Sequence, residues 1–268
     1  MGEKTFALAY HDVIASGKRD ATGFPGPLAA VYKLTPERFR AHLDAIAERP
    51  LEPGLEDGAG RAMLTFDDGG ASSPWIAAEL ERRGWRGLFF VVTDRVGQPG
   101  FLAAEQIREL AAAGHEIGSH SHSHPARMAT LGSAQLESEW RSSRELLGEL
   151  LGEPPRSAAV PGGSVSRHVI EQAAAAGYER LFTSTPSSRA ARHGELRVLG
   201  RFTVWAGDSP RLAAHLMSGS KLPRASRRLS WETRSAARRV SPRAYGALRG
   251  VAARRRSAST MNASSRSR

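Results

Sequence analysis

Short apolar runs of β-type residues recur along this chain, separated by amphipathic segments with hydroxyl caps. That alternation restricts the fold more than any other feature. A strand–helix–strand succession needs crossover connections, so the strands pair in parallel, and an all-β or all-α fold is excluded. The runs fall at residues 6–10, 62–66, 87–92, 115–118, 157–160, 180–183 and 196–204. Thr35-Pro36, Ser73-Pro74 and Ser209-Pro210 each place a hydroxyl N-cap ahead of a proline at the first helical position. Further helices are expected over 103–113, 133–151 and 166–176, with Gly114 and Gly177 as C-terminal stops. A serial βα chain of this length closes most naturally into a barrel. An open doubly wound sheet is the competing topology, and periodicity does not separate the two.

The 268 residues, 40% of them hydrophobic, can bury a sizeable core. No apolar run reaches 18 residues, so no membrane-spanning helix is expected. Residues 1–10 read as a strand rather than an export signal, which makes the cytoplasm the expected location. Without cysteine, disulfides, thiolate metal sites and a cysteine nucleophile are excluded, and any metal must take nitrogen and oxygen ligands. The net charge of +11 is unevenly placed. Residues 221–268 hold 14 of the 38 Lys/Arg and one acid, Glu232, leaving 24 basic against 26 acidic residues in 1–220. A nearly neutral barrel domain, 1–220, is therefore expected to carry a basic Arg/Ser-rich tail, 221–268. The tail has too little apolar surface to fold alone and reads as mostly disordered, or ordering as helices on an anionic surface.

Two clusters carry chemistry. Asp67 and Asp68, in Thr65-Phe66-Asp67-Asp68-Gly69-Gly70, follow the second apolar run, and barrel active sites are built at strand C-terminal ends. Adjacent carboxylates are costly unless a cation neutralises one of them; the bland alternative is a solvated turn. Three histidines occupy five residues in Ser119-His120-Ser121-His122-Ser123-His124-Pro125. One helical turn would bring His120 and His124 to the same side, with His122 facing elsewhere. Two imidazoles and a carboxylate make a standard first-row metal set with a position left for water. A polar surface loop is the alternative.

Together the two clusters, about 50 residues apart, resemble the polysaccharide deacetylases, the NodB-like carbohydrate esterases of family four. Their first motif, T-F-D-D-G, and second, H-S/T-x-x-H, are matched without gaps over residues 65–69 and 120–124. The resemblance covers roughly residues 5–217. It implies a distorted seven-stranded β/α barrel and a divalent metal, usually zinc, held by Asp68, His120 and His124. It also implies that Asp67 is the general base, taking a proton from the metal-activated water that attacks an acetamido carbonyl.

The chain departs from that pattern in three places, the simplest being that a D-x-x-W-like fourth motif is missing. The third motif, R-P-P-x-G, is met by Ala159-Val160-Pro161-Gly162-Gly163, with alanine where the arginine that orients the aspartate should stand. Arg156 is the nearby substitute, and Gly162 holds the position whose N–H helps bind the oxyanion in relatives. The late L-x-H motif that supplies the general acid is missing. Tyr10-His11-Asp12-Val13 resembles the start of the family branch acting on poly-N-acetylglucosamine. His11 is accordingly the candidate acid, with Asp12 orienting it or lining the pocket; a turn histidine is the alternative. Residues 15–31 are expected to form a loop over the pocket. Trp205 is either core or a sugar-stacking platform, and His42, His115, His168, His193 and His215 are background.

The sequence thus points to a metal-dependent hydrolase removing acetyl groups, most readily N-acetyl, from an amino-sugar glycan or glycoconjugate. The alternatives are an inactive carbohydrate-binding barrel and a polyanion-binding protein acting through its tail. An anionic membrane surface is a second expected partner of residues 221–268, which would place the protein peripherally at the inner membrane face.

Overall fold

A computed structural model describes residues 4–240, apart from 16, 19, 51–52 and 57–60. Six parallel strands follow one another around the sheet in chain order: β1 (Thr5–Tyr10), β2 (Arg61–Phe66), β3 (Leu88–Val91), β4 (Glu116–Ser119), β5 (Ser157–Ala159) and β6 (Arg180–Thr183). This order never reverses, as a doubly wound sheet would require. β7 (Ala191–His193) is a short antiparallel edge on β8 (Leu196–Gly200).

The seventh position is split. β8 pairs with β6, and after the single residue Arg201 the chain continues as β9 (Phe202–Thr203), paired with β1. One run of chain, read in the sequence as the strand 196–204, therefore joins both margins of the sheet into a distorted seven-position barrel.

The pleat sorts side chains into two layers. Ala7, Met63, Leu88, Phe90, Ala159, Phe182 and Leu199 form one buried cluster inside the barrel. Their sequence neighbours Leu8, Leu64, Phe66, Phe89 and Val91 face the helices in a second cluster. Burial on both faces accounts for strands that read as continuous apolar runs. The helical layer comprises α1 (Pro27–Ala30), α2 (Pro36–Ala47), α3 (Ser73–Glu81), α4 (Ala104–Ala112), α5 (Ser133–Leu151), α6 (Arg167–Ala175) and α7 (Pro210–Met217). Thr35 and Ser209 cap as their positions predict, accepting from Arg38 N and Leu212 N, and Ser166 caps α6 by accepting from Val169 N. At α3 the cap residue is Ser72, and Ser73 instead donates to Gly70 O at 2.8 Å. Gly114 and Gly177 lie at φ 87° and 86°, the left-handed conformation that ends a helix.

The tail begins as an element. Helix α8 (Lys221–Val240) covers the first 20 of the residues expected to be disordered, while 241–268 lie outside the described residues. No described helix is long and apolar enough to cross a membrane.

Candidate active site

Asp67 and Asp68 leave β2 as the chain turns, and Asp68 adopts φ 78°. That left-handed backbone lets two consecutive carboxylates face one site, which continued extended strand would prevent. The 120–124 segment after β4 is not a helical turn, contrary to the spacing argument. Ser121 and His124 sit at φ 63° and 59°, and the loop is pinned by Ser121 N donating to Ser119 Oγ and His124 N donating to Ser121 Oγ, both at 3.1 Å. His120 and His124 still converge, with ring centroids 5.0 Å apart. His122 turns away to Thr93 Oγ1, 2.9 Å from its Nδ1, as expected.

The Asp68 carboxylate lies 3.5 Å from His120 Nε2 and 3.4 Å from His124 Nε2 through the same oxygen, Oδ1. One atom from each of these three residues falls within 4.8 Å of the others, a set able to hold a metal ion. The protonation chemistry fits a cation. Burial lowers the His120 imidazole to about 3 and the His124 imidazole to about 4, so both are neutral at physiological pH. His120 Nδ1 lies 3.0 Å from Ala159 O, which can only accept, so its Nε2 carries the lone pair toward Asp68. Burial first, and then the negative charges of Asp67 and Asp12, push the Asp68 carboxyl well above the carboxylate range. A group in that position takes a proton or a cation.

Asp67 is tuned the other way by a residue that sequence reading missed. Arg201, fully buried at the β8–β9 joint, grips Asp67 with both arms: Nη1 to Oδ1 at 2.6 Å and Nη2 to Oδ2 at 2.9 Å. Nη1 also donates to Thr65 Oγ1 at 3.0 Å, and the guanidinium lies 5.2 Å over Phe90 and 6.0 Å over Phe182. Burial raises the Asp67 carboxyl, but Arg201, with His120 and His11, outweighs it and holds the group well below its usual range. Arg156, the expected substitute, is 73% exposed and pairs with Glu179. Ala159, standing where the family arginine would be, belongs to the interior cluster with Phe90 and Phe182, the two rings that flank Arg201. The cation is present; it is supplied from the far end of the barrel instead of from β5. An arginine in an otherwise apolar strand run was the available signal, because a buried guanidinium needs a carboxylate.

The other candidates sit around this centre. His11, at the end of β1, stacks on Tyr32 with centroids 4.6 Å apart, and its charge reaches both Asp67 and His124. Asp12 serves the loop: its Oδ1 accepts from Thr22 Oγ1 and Ser72 Oγ, each at 2.7 Å. Lys33 Nζ donates to Thr22 O at 2.5 Å and Phe24 O at 2.7 Å. The loop's base is tied by Ile14 N to Leu34 O and Leu34 N to Asp12 O, at 2.8 and 3.0 Å. So fixed, it lays Phe24 against His124, centroids 4.6 Å apart, forming one wall of the site. Gly162, at φ 60°, abuts Ala126 O, which would lie 2.9 Å from an added Cβ. Trp205 is neither core nor open platform, since the Arg227 guanidinium lies 4.1 Å over its ring. His42, His115 and His215 make local contacts, to Tyr10 and Asp208, to Gly87 and Glu81, and to Ser220. His193 ends β7.

Comparison with known proteins bears on the fold. Residues 55–181 match the sequence profile of the family described as polysaccharide deacetylase. The putative polysaccharide deacetylase YxkH of Bacillus subtilis is 27% identical over 55% of this chain and 52% of its own length. The chain spans about half or less of the length of the curated relatives first matched. Among solved structures, the Streptococcus pyogenes deacetylase PplD in complex with acetate superposes with a TM-score of 0.67 at 20% identity, covering 81% of this chain and 99% of that one. IcaB from Ammonifex degensii gives 0.64 at 22% identity over 81% and 98%. Those likenesses establish the fold, and residues 55–181 are similar to the polysaccharide deacetylase profile.

Proposed function

We propose that the protein is a divalent-metal-dependent deacetylase that hydrolyses acetamido groups of an amino-sugar glycan or glycoconjugate. The observation that carries this reading is the convergence of Asp68 Oδ1 with His120 Nε2 and His124 Nε2 beside a carboxylate locked by Arg201. Asp68, His120 and His124 would hold the metal, and their nitrogen-and-carboxylate set suits zinc. When bound, such an ion supplies Lewis-acid polarisation of the carbonyl and acidifies water.

The protein's own groups divide the remaining work. Asp67 accepts the proton of the attacking water; its ionised state and aim are maintained by the two Arg201 hydrogen bonds. The Gly162 N–H is assigned to the developing oxyanion. His11, held flat against Tyr32 at the rim, delivers a proton to the departing amine. Phe24, beside His124, offers the sugar ring an apolar wall.

Acetate release from N-acetylglucosamine oligomers tests the reading. The expected outcome is activity abolished by chelator and restored by zinc, with metal content lost in Asp68→Asn. His11→Ala should keep its metal yet lose about 10²-fold or more in kcat. Equal, near-zero metal uptake by the wild type and Asp68→Asn would refute the proposal.

A further inference from the structure

Helix α8 has its polarity reversed. On a helix that merely covers a barrel, leucines turn inward and arginines face water. Here the Arg224 guanidinium lies 4.7 Å over Phe6 and 5.2 Å over Phe202, and Arg227 lies over Trp205 and pairs with Asp208. Leu222 and Leu229 are instead 84% and 64% exposed; with Leu28 they are the exposed large hydrophobics among the described residues. Seven residues make two turns, so the two leucines share one face. Ala225, Ser226 and Thr233 are exposed beside them, and Lys221 and Arg228 are exposed on the flank.

Charge narrows the choice of partner. Residues 221–240 carry seven Lys/Arg against Glu232, and residues 241–268 add seven arginines and no acid. With residues 1–220 nearly neutral, the attraction is confined to this end of the chain. A nucleic acid or other soluble polyanion would engage the arginines without any need for solvent-facing leucines. An anionic bilayer takes both, seating apolar side chains at the headgroup boundary and cations on the headgroups. We propose that the outer face of α8 is a docking surface for an anionic lipid membrane, with Leu222 and Leu229 as its inserted residues and Lys221 and Arg228 on the headgroups. This inference stands independently of the hydrolase reading.

Vesicle flotation with the full chain tests it, using phosphatidylcholine vesicles with and without 30 mol% phosphatidylglycerol. The composition is a choice of about one anionic lipid in three, to give a strongly negative surface. Binding to the anionic vesicles at about 0.15 M salt is expected, and weaker binding by at least about tenfold to the neutral ones. A Leu222→Ser/Leu229→Ser variant should melt like the wild type, bind heparin equally well, and lose about tenfold in vesicle partitioning. No binding to anionic vesicles would overturn the proposal. So would undiminished partitioning of the double variant, which would leave a charge-only polyanion site. If that variant instead changed a dimer into a monomer with vesicle binding intact, the face would belong to a second copy of the chain, and the proposal would fall.

Discussion

Arg201 shows how one buried cation sets the behaviour of its neighbours. Removing it leaves Asp67 as an uncompensated interior charge, a defect that typically costs about 3–5 kcal/mol. Arg201→Met is therefore expected to lower the melting temperature markedly and to reduce kcat by at least about 10²-fold. In the double variant Arg201→Met/Asp67→Asn neither charge remains, and most of the lost stability should return while activity stays absent. Thermal melts of the two single variants and the double variant check this; strictly additive losses would show that the pair is not a unit. Legibility at this scale was uneven. Asp67, Asp68, His120 and His124 were singled out by residue type and by the motifs in which they stand. Arg201 did not, because its partner lies 134 positions away and only closure of the sheet brings the two together.

At the scale of elements, Asp12 is one of the groups that hold the loop over the site. Gly23 and Gly70 both leave room for the Asp12 carboxyl, and a Cβ at either would overlap it. Gly23 also sits at φ 61°, where a side chain adds strain. Gly23→Ala should therefore cost about 2 kcal/mol, or roughly 5 °C in melting temperature. It should also raise KM more than it lowers kcat, because Phe24 moves off His124 while the ligand set stays on β2 and the loop after β4. Steady-state kinetics beside a melting curve would check it; unchanged KM would mean that the loop does not face substrate. Strand and helix positions were readable to within a residue or two, since burial on both faces leaves continuous apolar runs and hydroxyls mark helix starts. The edge strand β7, with no apolar pattern of its own, and α8, whose leucines point outward, gave no such signal. The His120–His124 spacing brought the rings together for a different reason than supposed: left-handed loop residues did what a helical turn was expected to do.

For the molecule as a whole, the Asp68, His120 and His124 cluster ties stability to pH through opposing contributions. Without metal, the unfolded chain protonates His120 and His124 near 6.5, but the fold does so only near 3 and 4. The unfolded state thus binds more protons between these limits, and the imidazoles cost stability as pH falls. Asp68 acts with the opposite sign. Its folded carboxyl is raised, so its ionisation costs stability at high pH, and that cost fades as pH falls toward its unfolded value. Metal-free Asp68→Asn should therefore melt above metal-free wild type at pH 8, by a margin that narrows toward pH 5; both values lie above the reference carboxyl value and roughly to either side of the histidine one. Added zinc should reverse the order by stabilising only the wild type. Melting curves across pH, with and without zinc, decide it, and a pH-independent margin would contradict the assignment.

The split seventh strand gives this architecture an economy of timing. The peptide segment that stitches β6 to β1 carries, at Arg201 between its two strands, the guanidinium that grips Asp67. A nascent chain whose margins have not met can already possess a β2 carboxylate and both imidazoles, yet it lacks the clasp that makes them a working set. On the proposed function, a molecule whose margins have not met would lack the grip on Asp67 and turn over no substrate.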